Sequence, residues 1–286
     1  MTDLLYGEVE EELRTTVRRV LDDRSPVRQV LARCEEGRPA DLDLWRVLAT
    51  EMGLAGLAVP EGYGGGGASW REVAVVCEEL GRAVTPVPYL GSAVVAAAAL
   101  LAVDDAELLT ALAGGTVVAL AVPFASVPGL PVSGFTADGG TVSGSARGVV
   151  DALAADVLLV PTGTGLYAVD ATADGVTRHP VVSLDLTRPI CDLTLERAAG
   201  RLLADGEAAA AAVEAALVTG AALLASEQLG IATWCLDETV GYLSTRHQFG
   251  RPLGSFQALK HRLADLWVEV TQARAAARYA AGCAAT

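Results

Sequence analysis

The stretch whose reading decides the fold is Arg246-His247-Gln248-Phe249-Gly250-Arg251-Pro252-Leu253-Gly254-Ser255-Phe256-Gln257, followed by His261-Arg262-Leu263-Ala264-Asp265. Gly250 and Pro252 break a helix. Glycine has the most conformational freedom to lose there, and proline lacks the amide and crowds the preceding turn. Upstream, residues 207–247 form one long alanine-rich helical stretch. Downstream, Leu259, Leu263, Leu266 and Val270 recur at spacings of three and four, the stripe of a helix facing a core. The spacing predicts two long helices joined by a forced turn, with Ser255 as N-cap of the second. An arginine at one helix end beside the start of another suits a diphosphate. The guanidinium fork pairs bidentately with phosphate oxygens, and a helix N-terminus adds amide donors and a favourable dipole. A solvated arginine on an ordinary turn fits the same residues, and spacing alone favours that reading.

Working outward, 286 residues correspond to roughly two domains at about 150 residues each, enough to bury a core without disulfide or metal staples. Hydrophobic residues make up 52%, charged 20% and aromatic only 5%, so the core is built from Ala, Val and Leu. Lys plus Arg total 21 against 35 acids, a net charge of −14. That balance excludes a nucleic-acid binder, although a local arginine can still hold a phosphate in an acidic protein. Cys34, Cys77, Cys191, Cys235 and Cys283 are scattered, odd in number and free of CxxC spacing. They read as free thiols in a reducing, cytoplasmic setting. The N-terminus is acidic and lacks the basic start and apolar run of a signal peptide. Residues 93–103 are too short for the roughly 20 residues of a membrane span. Residues 208–226 are long enough, but are mostly alanine and carry Glu214, and read as a buried core helix.

Three zones follow. Residues 1–115 read as an N-terminal helical domain, with helices at 8–21, 41–52 and 70–82. Val73, Val76, Cys77 and Leu80 form the stripe of the last. Residues 116–205 change to strand-and-turn language, with short apolar runs at 117–122, 156–160 and 166–169 and turn clusters such as Ala137-Asp138-Gly139-Gly140. Residues 206–286 return to helix. The fold class is therefore α+β, with a helical domain, a small middle β-sandwich or barrel, and an incomplete C-terminal helical bundle. The glycine run at 64–67 is not followed by Lys-Ser/Thr and no strand feeds it, so it reads as a tight inter-helix connection and not a phosphate loop.

The 246–265 stretch closely resembles the RxxFGxPLxxxQxxxxxLAD signature of acyl-CoA dehydrogenases. Val59-Pro60-Glu61-Gly62-Tyr63-Gly64-Gly65, then Glu78-Glu79-Leu80-Gly81-Arg82, resembles the family's PExYGG…EELGR pattern. The α–β–α order agrees with it. The resemblance implies oxidation of acyl-CoA thioesters at the α,β carbons, a carboxylate base and FAD as hydride acceptor. It places Arg246 at the FAD diphosphate of a neighbouring subunit. His247, Gln248, Phe256 and Gln257 fall at positions that contact the cofactor's adenine half, and Phe249 at a packing anchor.

The departures are informative. Where the family carries a TEPxAGSD-like loop, this chain has Val122-Pro123-Phe124-Ala125-Ser126-Val127-Pro128-Gly129. Where a Trp and a Thr pack on the flavin ring, it has Gly144-Ser145-Ala146-Arg147-Gly148-Val149-Val150-Asp151. An Asp-x-x-Arg that contacts CoA falls on Val218-Thr219-Gly220-Ala221. The sequence stops at Thr286 within a helical pattern, before the place of the family's catalytic glutamate. Glu227, Glu238 and Glu269 read as helix-face carboxylates, so no catalytic residue is assigned. These losses resemble the degenerate subunit of actinobacterial α2β2 acyl-CoA dehydrogenases. Three readings stand open: a subunit that completes the FAD site of a homologous partner, a self-sufficient FAD-dependent dehydrogenase or homo-oligomer seen as a fragment, and a structural subunit without flavin.

Overall fold

The structure is a computed structural model that describes residues 4–38, 40–132 and 134–285. Residues 1–3, Pro39, Ser133 and Thr286, where the sequence stops within its helical pattern, lie outside the described residues. The N-terminal region is helical: α1 (Glu8–Arg24), α2 (Val27–Glu35), α3 (Leu42–Arg46), α4 (Trp70–Ala83), α5 (Ala97–Val103) and α6 (Ala106–Ala113). Acids Glu8, Glu10 and Glu11 open α1, where they meet the positive end of the dipole. Helix α4 starts on a capping box. Ser69 Oγ accepts from the Arg71 amide at 3.2 Å, and Glu72 accepts from the Ser69 amide at 2.9 Å. Its predicted stripe is buried. Helix α2 is not legible in the sequence, because Ser25-Pro26 reads as a stop. Proline at Pro26 in fact sets the extended backbone from which a new helix starts. The predicted helix at 41–52 divides into α3 and a wide π-turn, Val47–Glu51.

The glycine run spends its amides internally. Gly66 donates to the Gly56 carbonyl at 2.9 Å and Gly67 to that of Val59 at 2.8 Å, so the loop is the expected tight connection.

Seven strands form the middle: β1 (Val118–Leu120), β2 (Phe135–Asp138), β3 (Thr141–Val150), β4 (Val157–Pro161), β5 (Gly165–Asp170), β6 (Val176–Val181) and β7 (Ile190–Asp205). Gly139 and Gly140, both at positive φ, close the β2–β3 hairpin, as a primed turn requires. The long strand β7 organises the rest. Its first half pairs with β3 on one edge and β6 on the other, and its second half pairs with β5. Two leaves therefore share one strand, bent where Arg197 takes φ +53°. The predicted sandwich-like region is a mixed sheet, with β1 and β4 parallel.

Two long helices complete the chain: α7 (Gly206–Thr245) and α8 (Gln257–Ala284). By length and composition α7 is apolar enough to cross a membrane. Its face through Ala209, Ala212, Val213, Ala216, Leu223 and Leu229 is nonetheless buried in the protein, as a core helix requires. Helices α4 and α7 cross with their backbones in contact. A Cβ on Gly81 would strike the Glu227 carbonyl, and one on Gly230 would strike the Glu78 carbonyl.

A second tie joins α1, α4 and α8. Glu79, 1% exposed, accepts from Arg14 at 2.9 Å and from Arg18 at 2.7 Å. Glu78 takes the Tyr6 hydroxyl at 2.9 Å and Arg14 at 2.8 Å. The Tyr6 ring lies beneath the Arg278 guanidinium, 3.8 Å from its centroid. Burial alone would raise the Glu79 carboxyl, but Arg18 and Arg14 hold it below the usual range.

Two outcomes follow in denaturation of the full chain. Gly81→Ala and Gly230→Ala each lose about 1–3 kcal/mol, because the helices must separate to admit a methyl group. Gly241→Ala, with nothing within 4 Å of its Cβ position, gains about 0.5–1 kcal/mol. Glu79→Ala removes the carboxylate that Arg14 and Arg18 share and costs about 1.5–3 kcal/mol at neutral pH, since Arg14 keeps Glu78 and Arg18 is partly solvated. Because the folded Glu79 carboxyl titrates low, the wild type holds this contribution above about pH 4.3 and loses it as pH falls further. The variant lacks that acid-side loss in its thermal midpoints.

Candidate functional site

The predicted turn is a small hairpin. Helix α7 ends at Thr245, and Arg246 takes an extended conformation, φ −73° and ψ 119°. The chain reverses through β8 (His247–Gln248) and β9 (Arg251–Pro252), paired His247 to Pro252 and Gln248 to Arg251. Phe249 (φ +53°) and Gly250 (φ +76°) make the turn. The Leu253 amide donates to the Arg246 carbonyl at 2.8 Å and clamps the hairpin at its base. Gly254 lies on α7, where an added Cβ would meet the Leu243 carbonyl at 3.0 Å. A 3-10 turn, Leu253–Ser255, then leads into α8. That turn corrects the expected cap. Phe256, not Ser255, occupies the N-cap position, and the Ser255 hydroxyl is buried without a hydrogen-bond partner.

All five predicted cofactor residues come together on this hairpin. Arg246, His247, Gln248 and Gln257 are exposed and Phe256 is half-buried. Among the described residues no carboxylate pairs with Arg246 or Arg251. His247 Nδ1 donates to the Thr245 carbonyl at 3.0 Å, which turns Nε2 outward. The Arg251 guanidinium stacks on Phe256, 3.9 Å from the ring centroid, and Phe249 meets Phe256 edge-on at 6.1 Å. Phe249 is 87% exposed, so within this chain it is not the packing anchor expected. A bulky residue at positive φ on an exposed tip is a strained feature, offset within the chain only by the edge contact with Phe256. The first turn of α8 has no side-chain cap. The Leu259 and Lys260 amides both turn back to the Phe256 carbonyl at 3.1 Å. The helix therefore presents its first amides outward.

The divergent middle segments lie elsewhere. In the 122–129 loop the Phe124 amide donates to the Gly148 carbonyl at 3.0 Å, and the Gly129 amide to Glu214 Oε2 at 2.8 Å. An apolar cavity of about 110 Å3 lies beneath this loop, walled by Leu90, Gly91, Phe124, Leu217 and Leu224. On α7, Val218 and Ala221 face outward without charge, while Thr219 and Gly220 are buried. Glu238 and Glu269 are solvated helix-face carboxylates, as expected. Glu227 is not. It turns inward and pairs with Arg188. Arg188 and the buried Asp151 are residues that periodicity does not single out: one lies in the irregular segment between β6 and β7, the other directly follows β3.

Comparison with known proteins places this architecture. The acyl-CoA dehydrogenase N-terminal domain profile matches residues 7–106, and the C-terminal domain profile matches residues 209–285. Acyl-CoA dehydrogenase IpdE2 of Mycolicibacterium smegmatis is 37% identical over 269 residues, covering 94% of this chain and 75% of the relative. Acyl-CoA dehydrogenase FadE34 of Mycobacterium tuberculosis is 35% identical, covering 88% of this chain and 33% of the relative. Among solved structures, a variant of the Tcur3481-Tcur3483 steroid ACAD superposes with a TM-score of 0.79 at 34% identity, over 94% of this chain and 75% of that one. The ChsE4-ChsE5 complex from Mycobacterium tuberculosis superposes with a TM-score of 0.83 at 28% identity, over 98% and 78%. The helical region, the mixed sheet and the α7–α8 hairpin are those of the acyl-CoA dehydrogenase family, FAD-dependent oxidoreductases, to which this chain belongs.

Proposed function

We propose that this chain is a subunit of a flavoprotein that oxidises acyl-CoA thioesters at the α,β carbons, and that its α7–α8 hairpin completes the FAD site of a homologous partner subunit. The observation that carries this reading is the hairpin itself. Arg246 has no carboxylate partner among the described residues, the start of α8 is uncapped, and Phe249, at positive φ, is 87% exposed and touches only the edge of Phe256 among the rings of its own chain. These groups fit a flavin dinucleotide. Arg246 and the first amides of α8 would hold the diphosphate, with charge-assisted hydrogen bonds from the guanidinium and the helix dipole adding to them. His247, Gln248, Phe256 and Gln257 would line the adenine half, with Phe256 held in place by Arg251. FAD supplies the hydride acceptor when bound.

Proton abstraction belongs to the partner in this reading. A base must reach the α proton. Here Glu238 and Glu269 face solvent and Glu227 is committed to Arg188. The 110 Å3 apolar cavity has no carboxylate among its lining residues. A steroid dehydrogenase and a complex among the structural neighbours support a hetero-oligomer acting on lipid or steroid thioesters. No disulfide joins the cysteines among the described residues, which supports a reducing, cytoplasmic location.

Co-expression with a homologous dehydrogenase subunit tests the reading. The chain purified alone is colourless and the complex is yellow. Arg246→Ala weakens FAD retention about 10–100-fold, the range of a lost hydrogen bond to a charged group. Arg246→Lys restores part of it, since the charge remains but the fork is lost. A chain that is yellow by itself favours the self-sufficient enzyme. A colourless complex, or full FAD retention by Arg246→Ala, overturns the proposal.

A further inference from the structure

The inward turn of Glu227 points to a second polar site, where the N-terminal helices, the sheet and α7 meet. Asp151 directly follows β3 at φ +58° and is only 6% exposed. Its Oδ2 accepts the Gly91 amide at 3.0 Å. Gly91 has no room for a side chain, since an added Cβ would lie 3.0 Å from Asp151 Cβ and closer still to its carboxylate. Arg188 stands beside Asp151, pairs with Glu227 of α7, and carries its guanidinium 5.6 Å above the Phe124 ring. Gly91 and Phe124 are both walls of the 110 Å3 apolar cavity. One buried carboxylate and one arginine thus hold two walls of that cavity from outside it.

The charges do not balance. Asp151, Glu227 and Arg188 line one small cavity, and there Arg188 pairs with Glu227, leaving the Asp151 carboxylate only the Gly91 amide as a hydrogen-bond partner among the described residues. That cavity, of about 40 Å3, is lined also by Thr85 and Tyr89, whose hydroxyls are buried and lack partners. That volume accommodates ordered water. Among the neighbouring charges, the Arg178 guanidinium of β6 is spent on the carbonyls of Ala152, Leu153 and Ala155. Asp185 is engaged with the Thr187 amide and hydroxyl. From α4, Glu78 is held by Tyr6 and Arg14, and burial pushes the Cys77 thiol up, so it stays neutral. The remaining way to match the charge is a proton.

We propose that Asp151 is a positioning residue that takes up a proton at this junction, and that its protonation state sets how tightly Gly91 and Phe124 wall the apolar cavity. When protonated, Asp151 leaves Arg188 to Glu227 and Phe124, and its hydroxyl gives the junction a donor. When ionised, it draws on Arg188 and leaves one unmatched negative charge in the interior, which loosens the junction. Burial, opposed by Arg188 and the Gly91 amide and assisted by Glu227, raises the Asp151 carboxyl to about 6. Because the closed form binds the extra proton, its stability falls as pH rises from about 4 to 6 and then levels. This proposal does not depend on FAD binding or on a partner.

Hydrogen exchange of the full chain, followed by mass spectrometry and corrected for intrinsic rates, tests it on the segment containing Gly91. Protection falls about tenfold between pH 5 and 7.5, the ratio expected when a carboxyl titrates near 6 closed and near 3.8 open. Asp151→Asn removes this pH dependence. Glu227→Gln frees Arg188 for Asp151, moves the break to lower pH and shrinks the change. A merely structural Asp151 would not move with Glu227. A pH profile of Asp151→Asn equal to wild type overturns the proposal, as does an unmoved break in Glu227→Gln. The second variant keeps the test decisive if the first fails to fold.

Discussion

The rest of the structure depends on the backbone contact between α4 and α7. Two glycines, Gly81 and Gly230, each sit against a carbonyl of the other helix. Interaxial distance is set by the side chains at the contact, so two glycines bring the axes as near as helices allow. The consequences spread along both helices. Glu78 and Glu79, one turn before Gly81 on α4, face α1 and α8 and collect the arginines that fasten them. Glu227, one turn before Gly230 on α7, is carried into the junction with the sheet, where Arg188 meets it. A wider crossing would withdraw Glu227 from Arg188 and loosen the tie between sheet and helices.

What the sequence made legible follows from what repeats. The stripe of α4 and the break at Gly250-Pro252 are periodic or punctuated features, and they lie where the spacing placed them. The stripe Leu259, Leu263, Leu266 and Val270 is half-buried along α8, its other faces left open. Helix α2 was hidden because proline serves equally as a stop and as the residue before a start. Strands β6 and β7 were hidden for another reason. β7 runs 16 residues with an arginine at positive φ in its middle, so its inward alternation is broken where it passes from one leaf to the other. Ser255 shows the limit of local rules. Its residue type suits a cap, but Gly254 presses on the Leu243 carbonyl and winds the chain through a 3-10 turn that moves the cap to Phe256.

The polar junction was illegible for a more basic reason. Asp151, Arg188 and Glu227 come from three segments far apart in the sequence, and each has a local environment in which a charged residue needs no explanation. Only the fold shows that two acids and one arginine line the same small cavity inside the protein. The hairpin residues are the opposite case. Arg246 through Gln257 are contiguous, so their spacing alone carried them onto one surface, and the structure added that Arg246, His247, Gln248 and Gln257 are exposed and that no carboxylate pairs with Arg246 among the described residues.

In the proposed reading the chain keeps one half of a chemistry, and the hairpin and the 122–129 loop are built so that the halves can separate. The hairpin at 246–257 hangs from the ends of α7 and α8, and its shape comes from its own turn, the Arg246–Leu253 clamp and the Gly254 contact. None of these touches the sheet. The loop at 122–129 depends on the sheet and α7 together, through Gly148, Glu214 and the Arg188–Phe124 stack. Changes there repack an apolar cavity without disturbing the hairpin, because the two share no hydrogen bond or ion pair among the described residues. Physical independence of the two sites, both carried on α7, is what the proposed division of labour between homologous subunits requires: one supplies the reacting groups, and the other supplies an arm.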